Sequence, residues 1–297
     1  MINKFKNIIL GLLLTIGSAS HTKEIETLTE PSKIVSNLLS QYELENVDFE
    51  YVNKAINKGN KNSVKAILID TRPELKYKRG TIPTSLNIPD SKFEENYSVL
   101  ENIPKDKELI VYCEGYNCSK SVIVAKKLKE KGHSNVKVYL AGESQWNQYS
   151  YLEIDTSTVK LFQERNHALL VDVRTHSKYL EETIPGSISI SDSNINKLIG
   201  RLPVDKKENI VIFCEDYNHN KAHIIANKLI SLDYENVTVY SGGLLLWKES
   251  GLDTVVSTKA NLAEKKEKIP KKEKYNKNKV KEKKLESNMD DAWYKQN

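Results

Sequence analysis

Cys113-Glu114-Gly115-Tyr116-Asn117-Cys118-Ser119-Lys120 decides the fold, because the chain repeats it 101 positions later as Cys214-Glu215-Asp216-Tyr217-Asn218-His219-Asn220-Lys221. Each copy follows an apolar run of strand length, Leu109-Ile110-Val111-Tyr112 and Ile210-Val211-Ile212-Phe213. Each precedes a helical pattern, Val122 to Leu128 and Ile224 to Leu229. A thiol at the end of a buried strand, followed by a loop and a helix N-terminus, lies where backbone N–H groups and the helix dipole stabilise a thiolate or a bound anion. The motif points to a reactive-cysteine domain in duplicate.

Working outward, the halves match along their length. Ile67-Leu68-Ile69-Asp70-Thr71-Arg72 corresponds to Leu169-Leu170-Val171-Asp172-Val173-Arg174, Tyr77 to Tyr179, and Thr81-Ile82-Pro83 to Thr183-Ile184-Pro185. Beyond the loops, Asn135 to Tyr139 pairs with Asn236 to Tyr240, and Gly142 to Trp146 with Gly243 to Trp247. This ordered series marks a tandem duplication. In the first copy the apolar runs predict strands near 66–70, 109–112 and 136–140, and helices over 120–131 and 48–57. Short runs apolar on both faces and separated by helices predict an α/β fold of two domains, each a mainly parallel sheet with helices on both faces. Ligands of such sheets bind beyond the carboxyl ends of the strands, where Cys113 and Cys214 fall. Asp70 with Arg72, and Asp172 with Arg174, fall there too. Their charges are expected to pair and pin neighbouring loops rather than touch substrate.

The ends read differently from the body. Lys4 and Lys6, the apolar run Ile8 to Ile16 and the small residues Gly17-Ser18-Ala19-Ser20 predict a signal peptide over 1–20 and export to the periplasm or cell envelope. The expected order is then a linker over 21–43, domains over 44–150 and 151–253, and a lysine-rich tail over 254–297, disordered or partly helical. From Ser257 onward the tail holds 13 lysines against 7 acidic residues, and with Lys4 and Lys6 also set aside the formal charge of +5 conceals a body of about −3. Basic charge outside the domains argues against nucleic acid as a partner. The tail reads first as a solvated extension, with contact to anionic envelope components as its other reading. No oligomeric state is specified.

Three cysteines are too few for a disulfide-stapled secreted scaffold, so their role reads as chemical. Cys113, Cys118, His133 and Cys214, His219, His223 lack zinc-ligand spacing, and no metal or cofactor is expected. A phosphatase loop of the Cys-x5-Arg type needs a guanidinium at the sixth position, where this chain has Ser119 and Asn220.

The whole set resembles the rhodanese family. The resemblance rests on the Ile-Asp-x-Arg strand end, the Tyr five residues later, Gly80-Thr81-Ile82-Pro83, the strand-end Cys with its following helix, and Asn-Val-x-x-Tyr leading to Gly-x-x-x-Trp. It implies a sulfurtransferase that accepts sulfane sulfur on a cysteine as a persulfide and passes it to a thiophilic acceptor. The implied partners are small sulfur-containing anions and thiols. Both loops are two residues longer than the family's common form, neither carries Arg, and the first resembles a Cys-x4-Cys-x2-Ser variant.

On this reading Cys113 and Cys214 are the candidate nucleophiles. Gly115, Tyr116, Asn117, Lys120, Ser121 and Lys221 are the candidate substrate-binding residues. Glu114 works against a doubly negative donor unless its side chain points away. Cys118 is either a resolving thiol that forms a disulfide with Cys113 or a semi-buried loop residue. His219 takes its place in the second copy, where it either lowers the Cys214 pKa or sits in solvent. Two further readings stay open: a non-catalytic interaction module of the envelope, and a thiol-redox protein using Cys113 and Cys118.

Overall fold

The computed structural model describes residues 30–59 and 63–256. The expected signal peptide and all but the first three residues of the expected tail lie outside these. The first copy contributes strands β1 (Glu45–Asn46), β2 (Ile67–Asp70), β3 (Leu86–Asn87), β4 (Leu109–Tyr112) and β5 (Val136–Tyr139), in the order β1-β5-β4-β2-β3. The second contributes β6 (Leu152–Glu153), β7 (Leu169–Asp172), β8 (Ile188–Ser189), β9 (Ile210–Phe213) and β10 (Val237–Tyr240), in the order β6-β10-β9-β7-β8. All these pairings are parallel.

Helices α1 (Lys33–Gln41), α2 (Phe49–Ala55), α3 (Glu74–Arg79), α4 (Phe93–Asn96), α5 (Lys120–Glu130) and α6 (Gly142–Tyr149) accompany the first sheet. α7 (Thr156–Arg165), α8 (His176–Glu181), α9 (Ile195–Leu198), α10 (Lys221–Ile230) and α11 (Gly243–Glu249) accompany the second. Alternation along each strand splits the core. Ile69, Val111 and Val138 pack with Val122, Ala125 and Leu128 of α5 on one face. Leu68, Ile110 and Tyr112 pack with Val52 and Ala55 of α2 and Trp146 of α6 on the other. Both faces of β4 are thus fully covered, which is why its sequence is apolar at every position. Each aliphatic side chain so buried contributes about 1.5–3 kcal/mol.

Two boundaries differ from the sequence expectation. Residues 33–41, expected as linker, form α1, which Ser32 caps through its Oγ, 3.4 Å from the Val35 N–H. Val35 is buried, and Leu38, Leu39 and Tyr42 pack on the same core, an i, i+3, i+4, i+7 stripe that demands a helix. At the other end, Val255 exchanges both backbone hydrogen bonds with Thr183 at 2.9 Å, so the second unit extends past 253.

The same pairing joins the two copies. Thr81 and Glu153 form an antiparallel bridge equivalent to Thr183 and Val255. The residue that closes the first unit therefore belongs to β6, the edge strand of the second sheet. Nearby, Tyr151 Oη donates to Lys58 O at 2.8 Å, and Asn227 Nδ2 of α10 donates to the same carbonyl at 3.0 Å. Gly59 carries φ +86° here, and a Cβ on it would lie 2.2 Å from Tyr151 Oη.

Candidate active site

In both sheets the cysteine is the first residue past the central strand. Asp70, Tyr112 and Tyr139 lie side by side at the strand ends, as do Asp172, Phe213 and Tyr240. Cys113 and Cys214 follow immediately, and both are buried. The turn that closes over each cysteine requires glycine. Gly142 has φ +61°, and a Cβ there would lie 2.4 Å from the Cys113 carbonyl oxygen; Gly243 repeats both features at +61° and 2.6 Å. Gly142→Ala is expected to cost roughly 3 kcal/mol, from left-handed strain plus a backbone clash. The midpoint of urea denaturation checks it.

Beyond the loops, α5 and α10 begin without a side-chain cap at Ser119 or Asn220. They share this with α3, α4, α6, α9 and α11, whereas α1, α2, α7 and α8 are capped by Ser32, Asp48, Asp155 and Thr175. The helices that follow the cysteines thus leave their first-turn N–H groups without a side-chain acceptor, as an anion site needs. Part of each loop is already spent internally. Cys118 N–H donates to Gly115 O at 2.9 Å. In the second loop Asp216 Oδ1 accepts the Asn218 N–H at 2.7 Å and lies 2.8 Å from His219 Nδ1.

The two thiols differ. Cys113 and Cys118 form a disulfide with Cα atoms 6.1 Å apart. Cys214 is a free thiol, 3% exposed. Burial pushes its pKa up to about 11, against a hydrogen bond from the Glu215 backbone and reinforced by Asp172. His219 is held by Asp216 and does not produce a lowered Cys214 pKa. The raised pKa leaves the Cys214 thiol largely protonated at neutral pH. With Cys113–Cys118 oxidised, alkylation of Cys214 by iodoacetamide should rise about tenfold per pH unit from 7 to 10, read from the labelled peptide. A rise that levels off at about pH 9 would show an ordinary thiol pKa and no desolvation.

The expected ion pairs are present. Arg72 holds Asp70 through Nη2 at 2.7 Å and Nε at 3.0 Å, and donates to Gly80 O at 2.6 Å. Arg174 holds Asp172 at 2.8 Å and donates to Glu182 O. Burial opposes the Arg72 charge, but the Asp70 hydrogen bonds and charge outweigh it and raise its pKa. The remaining arginine nitrogen finds different partners in the two copies. Arg72 Nη1 lies 2.9 Å from Glu143, whereas Arg174 Nη1 lies 3.5 Å from Glu215. Leu244 occupies the position of Glu143 in the second copy, which frees Arg174 for the loop glutamate.

Glu114 does turn outward, to Lys76 Nζ at 2.8 Å, as Glu215 does to Lys178 at 2.9 Å. Burial raises the Glu143 pKa and Arg72 opposes that shift. Of the other candidates, Ser121 is buried, with its Oγ 3.4 Å from Cys118 O, and Ala222 replaces it in the second copy. Tyr116 packs against both core faces of its domain. Lys221 pairs with Asp192 at 3.3 Å, while Lys120 is exposed at the start of α5. Gly115 and Asn117 lie in the loop itself. Sequence reading missed Lys76, Lys178 and Glu143. The two lysines were detectable, since they recur at the offset of 102 that relates the strands before the loops. Glu143 has no counterpart and left no such signal.

A five-stranded parallel sheet with a cysteine at the end of its central strand, under a loop that runs into a helix N-terminus, defines a sulfurtransferase-type fold. The chain belongs to the family of the rhodanese-like domain, whose model matches residues 49–149 and 155–250. It is similar to the tRNA uridine(34) hydroxylase of Bdellovibrio bacteriovorus, 37% identical over 83 residues that make up 27% of this chain and 23% of that protein. It is also similar to an uncharacterized protein of Synechocystis, 28% identical over 110 residues, 37% of this chain and 59% of that one. The chain therefore spans less than two thirds of the length of either curated relative. Among solved structures it resembles a thiosulfate sulfurtransferase from Pseudomonas aeruginosa, 18% identical with a TM-score of 0.33, covering 72% of this chain and 44% of that one.

Proposed function

We propose that the protein is an exported sulfurtransferase that carries sulfane sulfur on cysteine persulfides. The observation that supports this most is the placement of Cys113 and Cys214 at central strand ends, each followed by a helix that starts without a side-chain cap. The thiolate would attack the outer sulfur of a donor such as thiosulfate, forming the cysteine S–S bond and releasing sulfite. The persulfide, an anion, would rest against the first-turn N–H groups of the helix. Cyanide or a thiolate would then take the outer sulfur and return the cysteine thiolate. Cys113 would be the better nucleophile when reduced, with Lys120 exposed at the closing end of its loop, whereas burial disfavours the Cys214 thiolate. Because Glu114 and Glu215 are turned to Lys76 and Lys178, the loop carboxylates are charge-paired rather than directed at a dianionic donor.

Incubating the reduced mature protein with thiosulfate and cyanide, beside Cys113→Ser and Cys214→Ser, tests the reading. Thiocyanate formation unchanged by either substitution would sink it. A second reading, thiol-redox exchange, draws on the Cys113–Cys118 disulfide. It predicts that the pair cycles with a physiological dithiol while no sulfur adduct accumulates. Export rests on the Lys4, Lys6 and Ile8 to Ile16 pattern, and cell fractionation with N-terminal sequencing checks it.

A further inference from the structure

A cavity of about 420 Å³ lies between the two copies, walled by Tyr77 and Thr84 of the first and by Glu153, Asp155, Tyr217 and Ser241 of the second. Two of its wall residues, Tyr217 and Ser241, neighbour the Cys214 segment in the chain and in the sheet. Phe213 pairs with Tyr240 in the sheet, so Ser241 follows β10 beside Cys214, and Tyr217 lies three residues along the Cys214 loop. Both charged side chains in its wall are carboxylates, and among the described residues no lysine or arginine lines it.

The carboxylates act on their surroundings. The Tyr217 phenol is raised first by burial, then by Glu153 and Asp155. Tyr77 is raised by burial, then by Glu153 and Asp70. Glu153 Oε1 accepts the Thr84 N–H at 3.3 Å and lies 3.7 Å from His223 Nε2, a ring that is itself 3.2 Å from Ser241 Oγ. Asp155 Oδ1 caps α7 through the Thr158 N–H at 2.9 Å. The Thr84 hydroxyl, in the same wall, is buried with no hydrogen-bond partner among the described residues. Two carboxylates between low-dielectric walls repel an anion and attract a cation small enough to enter. The hydroxyl groups of Tyr77, Tyr217 and Ser241 supply oxygen acceptors for an ammonium.

We propose that this cavity binds small ammonium-bearing thiols, which serve as the sulfur acceptors of Cys214. The proposal rests on the sulfurtransferase reading for its chemical step only. In that step the acceptor thiolate attacks the outer sulfur of the Cys214 persulfide. A new S–S bond forms on the acceptor, the bond to Cys214 Sγ breaks, and Cys214 leaves with the electron pair as thiolate. No oxidant or reductant is consumed.

Binding is tested apart from chemistry by calorimetric titration of the full chain with 2-(methylthio)ethylamine and 3-(methylthio)propionate. Their capped sulfurs cannot exchange with Cys113–Cys118. The amine should bind at least about tenfold more tightly than the acid. The pair Glu153→Gln and Asp155→Asn keeps the acceptor oxygens that hold Thr84 and cap α7, and should remove that preference. Equal affinities, tighter binding of the acid, no measurable amine binding, or a preference that survives the double substitution would each overturn the proposal. Sulfur transfer from the persulfidated protein to cysteamine and to 3-mercaptopropionate is then compared. Selective amine binding without transfer leaves the cation site standing and removes the sulfurtransferase reading of Cys214 instead.

Discussion

Arg72→Met should lower the unfolding free energy by about 3–5 kcal/mol, read from urea denaturation of the full chain. Asp70 is fully buried and takes hydrogen bonds from the Arg72 side chain, the Arg72 N–H and Thr81 Oγ. Deleting the guanidinium leaves that carboxylate without its countercharge and strips the Gly80 carbonyl of its donor. It also releases Glu143, which sits at the start of α6 with its N–H on Cys113 O at 3.0 Å. A loss below about 1 kcal/mol would contradict the structural role, because breaking a buried pair from one side is costly in any packed interior.

The second large effect concerns sulfur loading on Cys113. A disulfide-bonded sulfur offers no thiolate, so thiosulfate should add sulfur to this site only after reduction, with a gain of at least about hundredfold in the loaded fraction. Cys118→Ser should abolish the need for reductant while leaving the capacity to load. Intact mass, resolving free thiol, disulfide and persulfide, measures both. Loading of Cys113 in unreduced wild-type protein would show that the bond to Cys118 does not gate the site.

Much of this arrangement was readable in the amino acids, for identifiable reasons. The long central strands announce themselves because burial on both faces forces continuous apolar runs, as in Leu109 to Tyr112 and Ile210 to Phe213. The ion pairs were legible because Asp and Arg recur two apart at the same strand end in both copies. The two-residue edge strands were not: Glu45–Asn46 is exposed and polar, and its place in the sheet is set by the backbone of β5. Nor could spacing decide between the two fates of Cys118, since a disulfide depends on where the loop places Sγ. The raised Cys214 pKa depends on packing from elements distant in sequence, which a local motif does not encode. The acidic cavity needed both copies in place, because its wall draws Tyr77 and Thr84 from one and Tyr217 and Ser241 from the other.

Glu153 has a consequence for how this chain comes apart. Its backbone serves the edge of the second sheet through Val239 and at the same time closes the first unit against Thr81. The period of the repeat and the cooperative unit of melting therefore do not coincide. A chain ending at residue 149, where the first family match stops, would carry a complete copy of the motif but an unclosed Thr81 edge. Denaturation of the joined copies should accordingly be a single transition, with one shared residue acting as the rivet between two inherited halves.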